Sequence, residues 1–319
     1  MLSPSMNLGA PSALYPRLWG LIERAQARAA AALPPLGLVY PCDALAMQAA
    51  DAIARQRVAR PVLIGPRKDM ERAAELAGVD MSAFECVYTH APEPAAAAAL
   101  AVQGVHEGRL TALMKGALHT DELMSAVVSR DHGLRTEARI SHAFLFDLPR
   151  YHKLLALADC VVNISPDLKT KRDVLGNAVA LLQALEIAEP KVAIVSAVES
   201  VNPAIPATLD AQELVALSRA GLWPGAQVEG PFGFDNAFSS KAAAIKGMNS
   251  QIAGDADLML MPDLNAGNML YKSFVYVGGG ECAGLVLGAK VPIVLTSRAD
   301  SLLARIASVA LATLARRTH

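Results

Sequence analysis

The stretch L-G-L-V-Y at Leu36–Tyr40, then P-C-D-A-L-A-M-Q-A-A-D-A-I-A-R-Q-R-V-A-R at 41–60, then P-V-L-I-G at Pro61–Gly65, decides the fold. Leu36–Tyr40 is a short apolar run that reads as a buried strand. Asp43 stands where a helix needs an N-cap acceptor. Pro61–Gly65 is a second apolar run closed by a turn residue. Working outward, similar runs recur at Phe84–Thr89, Ala112–Gly116, Phe144–Leu148, Cys160–Ser165, Lys191–Ser196, Leu258–Met261 and Pro292–Thr296. Helical stretches such as Lys169–Ile187 and Ala211–Ala220 separate them, and Ala91–Leu100 reads as an alanine-rich surface helix. V-A-I-V at Val192–Val195 and I-V-L at Ile293–Leu295 are apolar throughout, as strands covered on both faces require. This rhythm predicts an α/β protein with parallel sheets between helices.

The composition fits that reading and removes other classes. The chain has 319 residues, 53% hydrophobic and 18% charged, enough for about two domains with sizeable cores. Two three-layer α/β/α domains sharing a cleft are expected, with ligands at the carboxyl ends of strands. Net charge is -1, which excludes a broad basic surface for nucleic acid. The nearest cysteines, Cys42 and Cys86, are 44 residues apart, and no histidine pair has metal-ligand spacing, so no metal is expected. Mean hydropathy is +0.31, yet no run reads as a membrane span. The apolar C-terminal run is broken by Arg305, and Val174–Leu185 is too short. Met1–Gly20 carries Pro4, Pro11 and Pro16 with Arg17 as its only base, unlike a secretory leader. A cytoplasmic protein is expected.

Several loops carry candidate chemistry. Gly278–Ala283 matches G-x-G-x-x-A, with Asp300 placed 20 residues after Gly280, the spacing of a dinucleotide site. If Phe274–Val277 ends a helix, the same glycines are its C-terminal turn. T-S-R-A-D-S at Thr296–Ser301 lies between a strand and a helix, where backbone N–H groups, the Ser297 hydroxyl and the Arg298 fork suit an anion. Ordinary capping by Asp300 or Ser301 is the alternative there. K-G-A-L-H-T at Lys115–Thr120 also ends a strand; Gly116 permits close backbone approach, and His119 is a candidate base or a plain loop residue. G-P-F-G-F-D-N at Gly230–Asn236 is a turn-rich loop before a helix predicted at Ala237–Lys246, either a plain strand-to-helix connection or a cleft wall that donates Asp235 or backbone N–H groups. No Walker-type phosphate loop and no G-x-S-x-G elbow is present.

Taken together, these loops resemble the phosphate acetyl/butyryltransferase family. The likeness is carried by Lys115–Thr120, L-F-D-L-P-R-Y-H-K at Leu145–Lys153, and Asn163–Val179. It continues through S-A-V-E-S-V-N-P at Ser196–Pro203, E-G-P-F-G-F-D-N-A at Glu229–Ala237, P-D-L-N-A-G-N-M-L-Y-K at Pro262–Lys272 and Leu295–Ser301. It runs from Pro34 onward and leaves the first ~20 residues as a loose arm. The resemblance implies an acyltransferase that moves an acetyl or butyryl group between coenzyme A and phosphate, both as substrates, with no resident cofactor. It implies an isocitrate/isopropylmalate dehydrogenase-like fold and a homodimer. Residues 1–148 plus 286–319 would form the first domain and 149–285 the second.

Carried over residue by residue, the resemblance makes Ser297 and Arg298 catalytic, with Asp300 as a candidate proton carrier. Acetyl-type members place an aspartate in the next helix, where this chain has Ala304, and an arginine after the first loop, where it has Ala126 with Arg130 and Arg135 nearby. Lys115, Gly116, His119, Thr120, Asp235, Asn236, Asn265, Asn268 and Lys272 are the expected substrate-binding residues. Acyl-CoA and phosphate are the expected partners, with no nucleic acid and no membrane. The alternatives are an NAD-dependent dehydrogenase of similar fold, resting on Gly278–Ala283, and a non-catalytic acyl-CoA-binding protein, resting on Ala304.

Overall fold

The computed structural model describes residues 14–297 and 299–316. A first helix, α1 (Pro16–Ala29), leads into β1 (Pro35–Val39), α2 (Ala44–Arg55), β2 (Arg60–Gly65), α3 (Arg67–Ala77), β3 (Glu85–Tyr88), α4 (Pro94–His106), β4 (Ala112–Lys115) and α5 (Thr120–Val128). There follow β5 (Ser141–Asp147), β6 (Leu155–Ala158), α6 (Leu168–Ala184), β7 (Lys191–Val195), α7 (Pro206–Arg219) and β8 (Gln227–Phe232). The chain continues through α8 (Phe234–Phe238), α9 (Ser240–Ile245), β9 (Leu258–Leu260), α10 (Leu264–Tyr276), β10 (Glu281–Leu287), β11 (Ile293–Val294) and α11 (Leu302–Ala315). Asp43 caps α2 by accepting the Ala46 N–H at 2.8 Å, as its position predicts.

The strands form one eleven-stranded sheet in the order β3-β2-β1-β4-β11-β10-β5-β6-β9-β7-β8. It is mixed and not, as the rhythm predicts, wholly parallel: β10 runs against β11 and β5, and β5 against β6. The connections at 148–154 and 288–292 explain this. Both are shorter than the dozen or so residues a parallel crossover needs. The run Cys160–Ser165 is not a strand. The strand is Leu155–Ala158, and the Asp159 carboxylate bends the chain after it by accepting the N–H groups of Val161 (2.8 Å) and Val162 (3.0 Å). The helix predicted at Ala237–Lys246 is two short helices, α9 starting afresh where Ser239 caps it.

Alternation along the strands sorts the core. On one face Leu36, Leu38, Leu145, Ile194 and Leu258 join a single apolar cluster that takes in residues of α1, α2, α6, α7 and α11. The other face carries two separate clusters. One packs Val39, Val62, Ile64, Leu113 and Ile293 under α4 and α5. The second packs Phe146, Leu157, Ala193, Met259 and Phe232 with Phe274 of α10. At the parting lie Phe144 and Gly284, paired across β5 and β10; a Cβ on Gly284 would meet the Phe144 ring at 2.7 Å.

The arm expected at the N-terminus is in fact a docked helix from Pro16 onward, while residues 1–13 lie outside the described residues. The Asp147 carboxylate at the end of β5 accepts the Arg17 amide at 2.7 Å and pairs with the Arg17 guanidinium at 2.6 Å. Asp147 thereby satisfies N–H groups that the start of α1 leaves open.

Entry into β7 and β9 is held by charges. Asp255 accepts from Lys191 (2.6 Å), Lys153 (2.9 Å) and His152 (2.8 Å), and Lys153 also reaches Asp257 at 2.8 Å. Its donors hold the Asp255 carboxyl well below the ordinary carboxylate value, outweighing the burial that raises it. The stabilisation is therefore fully present above the unfolded carboxylate value and is lost as pH falls from there through the lowered folded value. Asp255→Asn should cost about 1 kcal/mol at neutral pH, the scale of a solvent-screened network. Denaturant unfolding of both proteins should show that gap closing toward acid pH.

Candidate functional site

The loop after β11 is built on its own backbone. The Thr296 hydroxyl donates to the Lys115 carbonyl at 3.4 Å, tying the loop to the end of β4. The Ser297 N–H donates to Asp300 Oδ2 at 2.7 Å, and the Ala299 N–H donates to Ser297 Oγ at 3.3 Å. Ser301, not Asp300, caps α11: it accepts the Ala304 N–H at 3.0 Å and its hydroxyl donates to Glu281 Oε2 at 2.6 Å. The Asp300 carboxylate is thus turned back onto the loop. Arg298 lies outside the described residues.

Burial raises the Asp300 carboxyl above its ordinary value, opposed by the Ser297 N–H and by the charges of Arg305 and Lys115. Tyr271 of α10 is pushed up to about 12, first by burial and next by the Asp300 carboxylate. Its ring stacks on Phe144 at 4.5 Å. The loop is thus bonded to the end of β4 and stands within reach of α10, where the Asp300 charge acts on Tyr271.

Lys115 donates from Nζ to the carbonyls of Gly116 (3.2 Å) and Leu118 (3.1 Å). Gly116 is fixed by contact: a Cβ there would lie 2.6 Å from the carbonyl oxygens of both Val39 and Tyr40. We expect Gly116→Ala to lower stability by roughly 1–3 kcal/mol, because backbone must move to admit the methyl. It should also lower turnover through the displaced Lys115 loop; thermal unfolding and steady-state kinetics check both. His119 is exposed, and its amide donates to Glu122 Oε2 at 2.7 Å, which starts α5; Thr120 is the exposed first residue of that helix.

The remaining candidates are distributed differently. Because β6, β9, β7 and β8 run against β5, their carboxyl ends lie at the opposite edge of the sheet. Asp235 is exposed there and pairs with Lys246 at 3.2 Å. Asn236 is 0% exposed, and neither of its amide atoms has a partner; the buried Ser196 hydroxyl at the end of β7 is also unpaired. The helix α10 starts at that edge, where Asp263 caps it and Gly267 admits the Asp159 carbonyl. Asn265, Asn268 and Lys272 share one stripe of α10. Asn268 Nδ2 donates to the Cys160 carbonyl at 3.1 Å, whereas Asn265 and Lys272 are exposed.

Gly278–Gly280 follow a helix and precede a strand, the reverse of a dinucleotide turn. The Gly280 N–H donates to the Phe274 carbonyl at 2.9 Å, and Gly279 sits at φ 64, so the glycines close α10. The dehydrogenase reading loses its motif on this geometry. Among the described residues no group of three or more His, Cys, Asp or Glu could hold a metal, and no helix is long and apolar enough to cross a membrane.

Arg305, Tyr271 and Glu281 are the site neighbours that sequence reasoning missed. Arg305 had a signal: a lone cation inside L-L-A-R-I-A-S-V-A-L-A-T-L-A, a helix apolar all round and so bound to bury it. Tyr271 and Glu281 had none without the topology.

Residues 93–313 match the family described as phosphate acetyl/butaryl transferase. A phosphate acetyltransferase of Rhizobium meliloti is 45% identical over 92% of this chain and 92% of its own length. A phosphate butyryltransferase of Clostridium acetobutylicum is 38% identical over 81% of this chain and 85% of its own. A solved structure of a branched-chain phosphotransacylase from Enterococcus faecalis superposes with a TM-score of 0.78 and 28% identity, covering 89% of this chain and 99% of that one.

Proposed function

Because this chain belongs to the phosphate acetyl/butyryl transferase family, we propose that it transfers a short acyl group, acetyl or butyryl, reversibly between coenzyme A and inorganic phosphate. The observation that carries the assignment of roles is the geometry of the Thr296–Ser301 loop, which is tied to the end of β4 through Thr296 and turns the Asp300 carboxylate back onto the Ser297 N–H.

A phosphate oxygen attacks the thioester carbonyl carbon, and negative charge builds on the carbonyl oxygen. The C–S bond then breaks, leaving acyl phosphate and the coenzyme A thiolate. Arg298 holds phosphate and, with Ser297, offsets the developing charge. Asp300 gives the thiolate its proton and takes it back in the reverse direction; a carboxyl raised by burial suits that exchange. Lys115, Gly116, His119 and Thr120 line the phosphate end. Asn265, Asn268 and Lys272 of α10, with Asp235, hold the acyl-CoA, whereas Asn236 is too deeply buried to touch it. Fixing two substrates together supplies much of the rate. Burial pushes the Cys160 and Cys282 thiols up, which disfavours a thiolate nucleophile and an acyl-enzyme.

In this reading the first domain, 1–148 plus 286–319, is completed by the C-terminal elements. The separate clusters on one face and the seat of β11 beside β4 support that division. The chain works as a cytoplasmic homodimer without a resident cofactor. Mixing acetyl or butyryl phosphate with coenzyme A should form thioester, followed by its ultraviolet absorbance. Coenzyme A binding with no thioester from any short acyl phosphate would instead identify a non-catalytic binding protein.

A further inference from the structure

Arg305 stands in the first turn of α11, only 6% exposed. Both circumstances are unfavourable for a cation: burial removes water, and the positive end of the helix dipole lies beside it. Long helical side chains point back toward the helix N-terminus, which carries this one under the loop before α11. There Nη2 donates to the Ser297 carbonyl at 2.7 Å, Nη1 to Thr296 Oγ1 at 3.3 Å, and Nε to the Asp300 carbonyl at 3.4 Å. One planar fork thus spans the loop from Thr296 to Asp300.

We propose that Arg305 is a positioning residue for acyl transfer, holding the Thr296–Asp300 loop so that Ser297 and the Asp300 carboxylate keep their places beside the end of β4. The inference rests on the acyltransferase reading and adds to it a residue that touches no substrate. Its charge matters as well as its shape. The groups around the Asp300 carboxyl are the Ser297 N–H, Arg305 of α11, Lys115 of β4, Tyr271 of α10 and Cys282 of β10, with Glu281 bonded to the adjacent Ser301. Arg305 itself faces Asp300 and, from the start of α2, Asp43. Arg305 favours the ionised carboxylate. Removing it raises the pH at which Asp300 ionises, while a lysine keeps the charge and loses the fork.

The test compares wild type, Arg305→Met and Arg305→Lys in thioester synthesis from acetyl or butyryl phosphate and coenzyme A, the direction in which Asp300 takes the thiol proton, across pH. Arg305→Met should lose about 10–100-fold in kcat with little change in the coenzyme A KM, and its acid limb should move to higher pH. Arg305→Lys should keep the wild-type acid limb and recover part of kcat. Folded variants with wild-type kcat and acid limb would overturn the proposal. So would equal loss in both variants at every pH, which marks a purely structural role. If Arg305→Met does not fold, the Lys variant decides alone: an unmoved limb with reduced kcat supports the proposal, and a moved limb or unreduced kcat rejects it. A wild type that makes no thioester from either acyl phosphate is a different result, the failure of the acyltransferase reading itself.

Discussion

Arg298→Ala should lower phosphate-dependent turnover by roughly 10²–10³-fold while leaving the unfolding temperature and circular dichroism unchanged. The loop explains why so much rests on one side chain. Arg305 commits its fork to loop oxygens, and Lys115 donates to the carbonyls of Gly116 and Leu118. Arg298 stands between Ser297 and Ala299 in that same loop, at the end of a strand. A planar fork there matches two phosphate oxygens at once and meets charge that grows on the carbonyl oxygen during attack. The loss should therefore appear in both the phosphate KM and kcat. Arg298→Lys should restore only part, because an ammonium is a point charge. Kinetics with phosphate as the varied substrate separate the two effects; wild-type constants in the Ala variant would remove Arg298 from the mechanism.

Asp300→Asn should cost a further large factor, about 10²–10⁴-fold in turnover, the usual contribution of a positioned proton carrier. The amide can still accept the Ser297 N–H that now goes to Oδ2, so the loop keeps its shape. What it cannot do is exchange a proton with sulfur. The direction of the pH effect follows from the cause. Burial raises the carboxyl, so the wild-type limb that reports it should lie above the ordinary carboxylate range, and thioester synthesis from acyl phosphate should fall as pH drops through that limb. The Asn variant should lose that limb. A variant with the same limb would assign the proton to another group.

The layered α/β class was legible because β1 and β9, and β2 and β7 after their first residues Arg60 and Lys191, are apolar without interruption, and few other structures tolerate that. The two antiparallel strands were not legible. Direction is set by connection length, and 148–154 and 288–292 look like any short loop until the pairing is known. β8 was hidden by Gly230 and Pro231, which read as a turn, and β10 by the glycines in front of it. The loop Thr296–Ser301 was legible as a strand-to-helix junction, and its cap was narrowed to Asp300 or Ser301. That Asp300 turns back onto Ser297 was not, since both residues are good caps. Arg305 was visible only as an interruption in an apolar run. Its purpose needed the helix geometry that carries its side chain back to Thr296. Asn236 and the candidates on α10 came from resemblance, Asp235 from its turn-rich loop, and only the strand directions showed that they start from the far edge of the sheet.

One measurement bears most directly on the assignment. Purified protein is incubated with acetyl-CoA or butyryl-CoA, with and without inorganic phosphate; free thiol is read with a disulfide reagent and acyl phosphate is trapped with hydroxylamine. Thiol release should require phosphate and be matched one for one by acyl phosphate. Thiol release independent of phosphate, or none with any short acyl-CoA, would contradict the assignment.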